Sequence, residues 1–550
     1  MQKLILSVAF FCLSSASVLS AQTPVDPLAP TLGIKSAEDV DREWQQSVSK
    51  YDAERTRLLA DADKQAHDGP FRPDWATLNQ YEPPQWYRDA KFGIFIHWGV
   101  YSVPAAENEW YPRNMYRPDE GAYKNFHEHH GGDDPAKGYK DLIPLFRAEH
   151  FDAAAWARVF KESGAQYVVP VAEHHDGFSM YDSGLSDWTV VKMGPKRDTL
   201  GELSKAIRGE GLHFGLSSHR AEHNFFYDGG RSIRSDVNDP KYASLYGPAH
   251  QWFEAGGDDH SLINDWTWVS EAWTRDWLAR DTELVEKYKP EIVYFDWWIG
   301  QPNFRRAVAE FAAFYYNYAA AHGYTGVIDF KDYSLNWKAG VRDFERGQQD
   351  HIVADHWQTD TSISDKSWGY IENDTFKSPQ FLIDQLIDIV SKNGNLLLNF
   401  GPKSDGTIPD EIRERLLAMG SWLKLNGEAI YGTTPWKTFG EGPTKVEGGA
   451  FHDTDTKPYT SDDFRFTAKG STVYAIGMAC PPAEGATSRK AVIHSLGWAH
   501  EGASLPVGNI ELLGSIGEVT WTQGAEALSI TLPEDATCHY GYALKLTPAK

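Results

Sequence analysis

Cysteine is scarce in this sequence: the 550 residues include three, Cys12, Cys480 and Cys538. So few thiols exclude a disulfide-dense scaffold, and the two C-terminal cysteines lack the companions that a zinc site needs. Cys12 lies within the apolar N-terminal segment. Cys480 and Cys538 form either one disulfide in an oxidising compartment or a pair of buried thiols, and the sequence leaves both alternatives open.

Positive charge is also in short supply. The chain has 53 Lys and Arg against 77 Asp and Glu, a formal net charge of −24. This balance disfavours nucleic acid or an anionic membrane surface as the main partner. After the N-terminal segment, no apolar run is long and uncharged enough to span a bilayer, so we expect a soluble product without membrane insertion. A neutral ligand fits this composition best.

The N-terminal segment "MQKLILSVAFFCLSSASVLSAQTP" has a lysine, an apolar stretch and small residues near Ser20 and Ala21. This pattern predicts a cleaved secretory signal over residues 1–21 and therefore a secreted or periplasmic protein. A lipid anchor on Cys12 is the weaker alternative, because "VAFFC" lacks the small residues expected before a lipidated cysteine.

The rest of the chain divides into three predicted regions. Residues 22–74 form an N-terminal extension, in which the charged segment 36–66 has apolar residues at helical spacing. Residues 75–436 alternate strand and helix patterns, which predicts an α/β fold with a (β/α)8-like, TIM-type barrel. Residues 437–550 have short alternating strands broken by Gly and Pro, which predicts a β-sandwich. We expect the sandwich to close one side of the barrel; glycan binding by the sandwich is the alternative. Seven barrel strands are predicted, in "KFGIFIHWG", "QYVVPVAEHH", "HFGLSSH", "EIVYFDWW", "TGVIDFKD", "HIVADHWQ" and "GNLLLNFGP".

Polar and ionisable residues collect where the predicted strands end. In a βα barrel the carboxyl ends of the strands form the face on which active sites are built, so we expect these residues to form one site. They are His97, Glu173, His174, His175, Asp176, His219, Asp296 and Lys331.

The predicted site combines histidines, aromatics, a lysine and acids, and the sequence has no glycine-rich phosphate loop and no GxSxG. Neutral imidazoles and carboxylates bind hydroxyls in fixed directions, while aromatic rings cover the apolar face of a sugar. Aromatic residues make up 13% of the chain, including 21 tryptophans. Hydrolysis of a glycosidic bond needs two acids in addition, one at the anomeric carbon and one to protonate the leaving oxygen.

Four stretches resemble the α-L-fucosidases of glycoside hydrolase family 29. They are "KFGIFIHWGVYSVPAAENEWY", "EHHDGF", "YFDWW" and "GNLLLNFGPKSDGTIPDEIRERLLAMGSWLKLNGEAIYGT", and the match runs with gaps from about residue 75 to 436. The resemblance implies a barrel followed by a β-sandwich, retention of anomeric configuration, an aspartate nucleophile after the fourth strand and no catalytic metal or other cofactor. The implied partner is a fucosylated oligosaccharide or glycoconjugate.

The resemblance also implies roles for individual residues. Asp296 matches the nucleophile, and Tyr294 stands where the family often has a tryptophan under the sugar. Trp368 in "SWGY" falls where an aromatic faces the C5 methyl, and Lys331 stands near where many members place an arginine. The residues implied to bind the sugar or to support the nucleophile are His97, Glu109, Trp110, His174, His175 and His219.

The acid/base is the most variable position of the family. We predict Glu345 in "VRDFERG", on the loop after the fifth predicted strand, because the family's glutamate often follows an aspartate-aromatic pair. Glu222, Asp343 and Glu372 remain alternatives. A retaining pair of carboxyl groups is expected about 5–5.5 Å apart.

Several other functions remain in competition. "HRAEH", from His219 to His223, fits a zinc-protease pattern, but it follows a strand and runs into a loop. "HEHHGGDD", from His127, looks like a metal-binding stretch, but its composition predicts an exposed loop. A non-catalytic sugar-binding protein and an exo-α-L-galactosidase are the nearer alternatives. The oligomeric state is not readable from the sequence.

Overall fold

The computed structural model describes residues 26–253, 266–331, 333–484, 488–499, 505–533 and 536–549. The predicted signal segment 1–21 lies outside these residues. The α/β fold with a barrel and C-terminal antiparallel sheets is confirmed.

Eight parallel strands close the barrel, and each strand pairs with its neighbours in the chain, β1 closing onto β8. The strands are β1 Phe92–Ile96, β2 Tyr167–Glu173, β3 His213–Ser218, β4 Ile292–Phe295, β5 Val327–Lys331, β6 Val341–Asp343, β7 Trp357–Ser362 and β8 Gly394–Phe400. Almost all of their residues are buried. All eight carboxyl ends therefore meet at one face of the barrel.

The strand prediction needs two corrections. β6 was not predicted, because its three residues are too few to show an alternating pattern. The next strand was predicted over residues 351–358, whereas β7 runs from Trp357 to Ser362. The sequence of β7, WQTDTS, is polar because its side chains hydrogen bond inside the barrel, where Gln358 accepts from two tyrosine hydroxyls.

The longer helices surround the barrel. They are α1 Ala37–Val48, α2 Asp52–Ala66, α3 Ala153–Glu162, α4 Thr199–Gly209, α5 Glu271–Tyr288, α6 Arg305–Ala321, α7 Pro379–Ser391 and α8 Asp410–Asn426. Five begin at a side chain that accepts a hydrogen bond from a free backbone N–H of the first turn. These N-caps are Ser36, Asp152, Asp198, Ser270 and Ser378. The predicted N-terminal helix is two helices, α1 and α2, and α2 packs on α5 and α6.

Short helices and one hairpin form the connections. The short helices are Trp75–Leu78, Gln85–Ala90, Tyr111–Asn114, Gly121–Phe126, His127–Gly131, Asp228–Ser232 and Ala243–Tyr246. The hairpin strands are Trp252–Phe253 and Trp266–Thr267. The HEHHG stretch was predicted to be a loop and is instead a π-helical turn that continues the preceding helix.

The C-terminal region contains two antiparallel sheets. The strands are β9 Thr434–Glu441, β10 Phe464–Lys469, β11 Thr472–Gly477, β12 Ala483–Glu484, β13 Ser488–Ile493, β14 Val507–Leu512, β15 Thr520–Gln523, β16 Leu528–Leu532 and β17 Tyr542–Pro548. One sheet has the order β9-β10-β11-β17-β14 and the other β12-β13-β16-β15. Side chains of both sheets, such as Phe464 and Ile530, share one apolar core, which makes the pair a sandwich. Of the two alternatives for the cysteines, the structure has the disulfide Cys480–Cys538.

None of the helices in the described part of the chain has the combined length and apolar character that crossing a bilayer requires.

Candidate active site

Asp296 lies at the carboxyl end of β4, and its carboxylate is almost fully buried. One oxygen, Oδ2, is 3.3 Å from His175 Nε2 and 3.2 Å from His219 Nδ1. The other, Oδ1, accepts a hydrogen bond from the Trp297 N–H and is 3.5 Å from Lys331 Nζ. Both oxygens of this carboxylate are therefore held by donors.

These contacts decide the charge of Asp296. Burial alone would raise the pKa of this carboxyl group, because a low-polarity environment disfavours the charged form. The Lys331 ammonium and the hydrogen bonds from His175 and His219 outweigh burial and hold the pKa of Asp296 well below its ordinary range. Asp296 is ionised at neutral pH.

Lys331, at the end of β5, contacts three carboxylates at once. Its Nζ lies 3.5 Å from Asp296, 2.7 Å from Glu345 and 3.4 Å from Asp360. Asp360 also accepts a hydrogen bond from the Tyr294 hydroxyl at 2.9 Å. Asp296 and Glu345 share one ammonium, at 3.5 and 2.7 Å, so these two carboxylate oxygens are at most 6.2 Å apart. This upper limit includes the separation of about 5–5.5 Å that is typical of retaining glycosidases.

Glu345 follows β6, the sixth strand of the barrel. The prediction placed it after the fifth strand, because β6 was not predicted. Its side chain is 14% exposed. Burial raises the pKa of Glu345 to about 7; Lys331 opposes this effect, whereas the charges of Asp360 and Asp296 add to it. A single ammonium cannot keep every neighbouring carboxyl group ionised, so Glu345 keeps its proton up to neutral pH.

The three alternative acids have different environments. Glu222 accepts a hydrogen bond from the Trp298 N–H at 2.8 Å, and burial and the charge of Asp296 raise its pKa well above its ordinary range. Asp343 accepts from Gln358, and burial and Asp360 raise its pKa in the same way. Glu372 is exposed. These shifts favour the protonated form of Glu222 and of Asp343, but each residue is almost completely buried, at 4% and 1% exposure.

Four histidines from three strand ends pack together beside Asp296. The ring of His174 lies 5.4 Å from His97, 4.2 Å from His175 and 4.8 Å from His219. Burial lowers the pKa of His175 to about 4 and those of His97 and His174 well below their ordinary value. These three rings are neutral at pH 7, and each therefore has one donor and one acceptor nitrogen.

The aromatic residues and Glu109 lie around this group. Trp368 is half-buried, with its ring 5.3 Å from that of His97. Glu109 accepts hydrogen bonds from the Trp368 N–H and the Ser367 hydroxyl, and so holds the Trp368 loop. The ring of Trp110 lies edge-on to His175 at 5.4 Å. Tyr294 has no exposed surface, so it supports the site from below through Asp360 and has no free face for a sugar.

Two residues predicted at the site do not join it. Glu173 binds Arg220 at 3.0 Å and Arg280 at 2.9 Å, on the helix side of the barrel wall. Asp176 accepts hydrogen bonds from the Tyr139 hydroxyl and the Phe178 N–H. Successive residues at a strand end point in different directions, so the run of four polar residues at the end of β2, Glu173 to Asp176, contributes only its two histidines.

The zinc-protease pattern is not supported by the geometry. His219 Nδ1 contacts Asp296, whereas His223 Nδ1 bonds to the carbonyl oxygen of His175 and its ring stacks on Trp273. The two groups of possible metal ligands at this face are His97 with His174 and His219, and His175 with His219 and Asp296. Within each group the ligand atoms lie within 4.8 Å of one another.

Three residues of the site were not predicted from the sequence. Asp360 is the third carboxylate on Lys331, Asn399 bonds to His97 Nδ1 at 2.7 Å, and the Arg346 guanidinium lies 5.0 Å from the Trp368 ring. Asn399 had a usable signal, since it is the polar residue near the end of an apolar strand. Asp360 had no such signal, because the strand predicted over residues 351–358 ends before Asp360.

A closed parallel barrel whose carboxyl end gathers neutral histidines, aromatic rings, the ionised Asp296 and the protonated Glu345 is the architecture of a glycoside hydrolase of the barrel class. The model of the alpha-L-fucosidase family matches residues 58–428. The chain belongs to the α-L-fucosidase family.

Individual relatives agree with this assignment. The tissue alpha-L-fucosidase of Rattus norvegicus is 31% identical over 476 residues, covering 84% of this chain and 89% of the relative. The plasma alpha-L-fucosidase of Homo sapiens is 32% identical over 498 residues, covering 87% and 92%. A Thermotoga maritima alpha-fucosidase solved in complex with fucose is similar in structure, with a TM-score of 0.67, 29% identity and coverage of 86% of this chain and 100% of that one.

Proposed function

We propose that the protein is an exo-acting α-L-fucosidase that releases terminal α-L-fucose with retention, using Asp296 as nucleophile and Glu345 as acid/base. One observation carries the proposal: Lys331 joins two carboxyl groups whose environments give them opposite protonation states. An ionised group beside a protonated one is what double displacement requires at neutral pH.

In the first step an oxygen of Asp296 attacks the anomeric carbon of fucose. The bond between that carbon and the leaving oxygen breaks as Glu345 transfers its proton to that oxygen. The products of this step are a fucosyl ester on Asp296, an ionised Glu345 and the free alcohol.

In the second step a water molecule takes the place of the alcohol. Glu345 accepts a proton from the water as its oxygen bonds to the anomeric carbon, and the ester bond to Asp296 breaks. Fucose leaves with the configuration it had in the substrate, and both carboxyl groups return to their starting states. Lys331 remains a counter-charge to both throughout.

Sugar binding falls to the neutral histidines and to Trp368. His174 Nδ1 and His175 Nδ1 are buried without a hydrogen-bond partner among the described residues, so hydroxyls of a bound sugar would satisfy them. The half-buried Trp368 is the proposed wall for the C5 methyl group. L-Galactose has a hydroxyl on this carbon, which would be left unpaired against an indole ring. This favours fucose over the exo-α-L-galactosidase alternative.

We also propose secretion with removal of residues 1–21. The N-terminal pattern supports it, and so does the Cys480–Cys538 disulfide, because disulfides persist in oxidising compartments. The proposed mature chain then consists of an extension over 22–74, a catalytic barrel over 75–436 and a β-sandwich over 437–550.

The test is hydrolysis of a synthetic α-L-fucoside followed by proton NMR. The proposal expects α-fucose as the first product, before it equilibrates with the β anomer, and at least tenfold lower kcat/KM for the matching α-L-galactoside. β-Fucose as first product would contradict retention. A protein that binds fucose without turning over any fucoside would be the sugar-binding alternative.

A further inference from the structure

The loop between β9 and β10, residues 442–463, leaves the sandwich and lies against the barrel loop that contains Glu345. The Phe451 N–H donates to the Glu345 carbonyl oxygen, and the Asp453 N–H donates to the Arg346 carbonyl oxygen, both at 2.8 Å. Gln348 and Gly449 exchange two backbone hydrogen bonds of 3.0 and 2.8 Å, so the two loops are joined by an isolated antiparallel β-bridge. We call residues 449–453 the contact segment.

The turn at Glu345 is thereby held from two sides. On the barrel side, the Arg346 N–H donates to the Asp360 carbonyl oxygen at 2.8 Å, and the Thr359 hydroxyl donates to the Phe344 carbonyl oxygen at 2.6 Å. On the other side, the contact segment supplies the bonds to Glu345 and Arg346. Arg346 has a left-handed backbone with φ of 44°, which is costly for this residue unless its surroundings hold it. A strained turn next to a reactive group needs this two-sided support.

Asp453 anchors the contact segment inside the barrel domain. It is 3% exposed, and its Oδ2 accepts hydrogen bonds from the Lys377 ammonium and the Thr361 hydroxyl. Its carbonyl oxygen accepts from the side-chain amides of Gln348 and Gln385, each at 3.1 Å. Thr361 follows Asp360 in β7, so the anchor reaches the strand that contributes a carboxylate to Lys331. Such a buried, satisfied set of bonds fixes position more than it adds stability.

Phe451 is the exposed member of the same segment. It is 58% exposed, and its backbone is left-handed, with φ of 61°. An aromatic residue is rarely found in this backbone conformation, and such an outlier at an exposed position indicates a function. The backbone hydrogen bond places Phe451 next to Glu345, the residue proposed to protonate the leaving oxygen. An exposed aromatic side chain on this residue is therefore a candidate contact for the leaving sugar.

We propose that the β-sandwich domain completes the active site: the contact segment positions Glu345, with Asp453 as the positioning residue, and Phe451 binds the sugar to which fucose is attached. The proposal rests on the assignment of Glu345 as acid/base. Aromatic rings bind pyranose rings through the apolar face of the sugar, so the chemical class of the ligand is a neutral hexose at the leaving-group side. It also replaces the expectation that the sandwich merely closes one side of the barrel.

The first test compares two substrates that differ in the leaving group. A fucosylated disaccharide has a leaving sugar and needs its oxygen protonated, whereas α-L-fucosyl fluoride has neither requirement. For Phe451→Ala we expect kcat/KM to fall about tenfold on the disaccharide, chiefly through KM, and to stay within about twofold on the fluoride. The matched control is Trp498→Ala, an exposed aromatic after β13 in the four-stranded sheet, which should leave both substrates unaffected.

The second test concerns Asp453. For Asp453→Asn, which keeps the shape and removes the charge that binds Lys377, we expect kcat/KM on the disaccharide to fall and kcat/KM on the fluoride to stay at the wild-type value. The reason is that kcat/KM reports the first chemical step, in which fluoride needs no proton from Glu345. A general loss of folding would lower both rates together, and that result would overturn the positioning role. Equal rates of Phe451→Ala and wild type on the disaccharide would overturn the leaving-group site.

Assays of the wild-type protein on both substrates distinguish a failure of this proposal from a failure of the proposed function. If it hydrolyses neither substrate, the fucosidase assignment fails and this inference fails with it. If it hydrolyses both and Phe451→Ala matches it on both, only this inference fails.

Discussion

Two buried charge clusters lie on either side of the wall formed by β2, β3 and β4. They differ in the balance between positively charged side chains and carboxyl groups. On the helix side, Glu173 and Asp276 are paired with Arg220 and Arg280 at distances from 2.9 to 3.6 Å. At the mouth of the barrel, a single ammonium among the described residues, that of Lys331, contacts Asp296, Asp360 and Glu345. Each cluster is nearly excluded from water.

The ratio of positive charges to carboxyl groups sets the protonation states in each cluster and therefore its role. Burial would raise the pKa of Asp276, but the arginines outweigh it and lower this pKa to about 2, so the acid is ionised at every physiological pH. At the mouth the lysine is shared, so Asp296 is ionised while the pKa of Glu345 rises to about 7. The balanced cluster holds helices to strands, whereas the unbalanced one divides its carboxyl groups into a base and an acid.

The largest effect is expected from Asp296→Ala, which removes the ionised group of the unbalanced cluster. We expect kcat on an aryl α-L-fucoside to fall by at least about 10⁴-fold, because no other group can form the ester intermediate. The melting temperature should stay the same or rise, since groups that serve chemistry are rarely optimal for stability. Steady-state kinetics and thermal unfolding measure the two quantities, and turnover within tenfold of wild type would refute the nucleophile.

The next effect concerns stability and comes from Arg280→Met in the balanced cluster. The substitution leaves Glu173 and Asp276 with one fewer buried partner, which typically costs about 3–5 kcal/mol of the free energy of unfolding. We expect kcat per folded molecule to stay within about twofold of wild type. The matched control is Arg57→Met, whose side chain is 47% exposed in its ion pairs and should cost less than about 1 kcal/mol. A loss of kcat without a loss of stability would show that the two clusters do not differ in role.

Glu345→Ala tests the protonated half of the unbalanced cluster. We expect a loss of about 10²–10⁴-fold on a natural glycoside, a much smaller loss with good leaving groups, and partial rescue by azide. The acid form of Glu345 is the active one, so wild-type kcat/KM should fall as the pH rises through about 7, and this alkaline limb should vanish in the variant.

The control for Glu345 is Glu222→Ala, which removes the other protonated glutamate near Asp296. We expect it to keep the alkaline limb near pH 7 and to show no azide rescue. If azide rescues Glu222→Ala and not Glu345→Ala, the acid/base is Glu222.

The fold was predictable from the sequence wherever the strands consist of apolar residues that pack in a core. Six strands, β1 to β5 and β8, were found because their residues are mostly apolar and their neighbours are helical. The errors fall in β6 and β7, where the barrel interior is polar. Tyr87, Tyr167 and Asp343 bond to Gln358 in β7, and such internal hydrogen bonds replace the apolar pattern on which strand prediction depends.

The site was predictable only in part, for a geometric reason. His97, His174, His175, His219, Asp296 and Lys331 lie at the carboxyl ends of strands, and the closed barrel brings these ends together. Which of several polar residues at a strand end faces inward depends on backbone direction, and for this reason Glu173 was misplaced. The contact between Phe451 and Glu345 joins residues 106 positions apart in different domains, and no local pattern in either segment encodes it.

The smallest effect, and the most direct test of charge balance, is expected from Lys331→Met. Removing the shared ammonium makes the proton-bound form of both Asp296 and Glu345 more favourable, so both pKa values rise. The acid and alkaline limbs of kcat/KM should then both move to higher pH, by about one unit for the alkaline limb. The control, Lys50→Met, removes an exposed lysine paired with Asp187 and should leave the profile in place. Limbs that coincide with those of wild type would mean that the histidines, and not the lysine, set the charges at the mouth. In that case the excess of carboxyl groups over lysine in the unbalanced cluster would not determine the protonation states that the reaction uses.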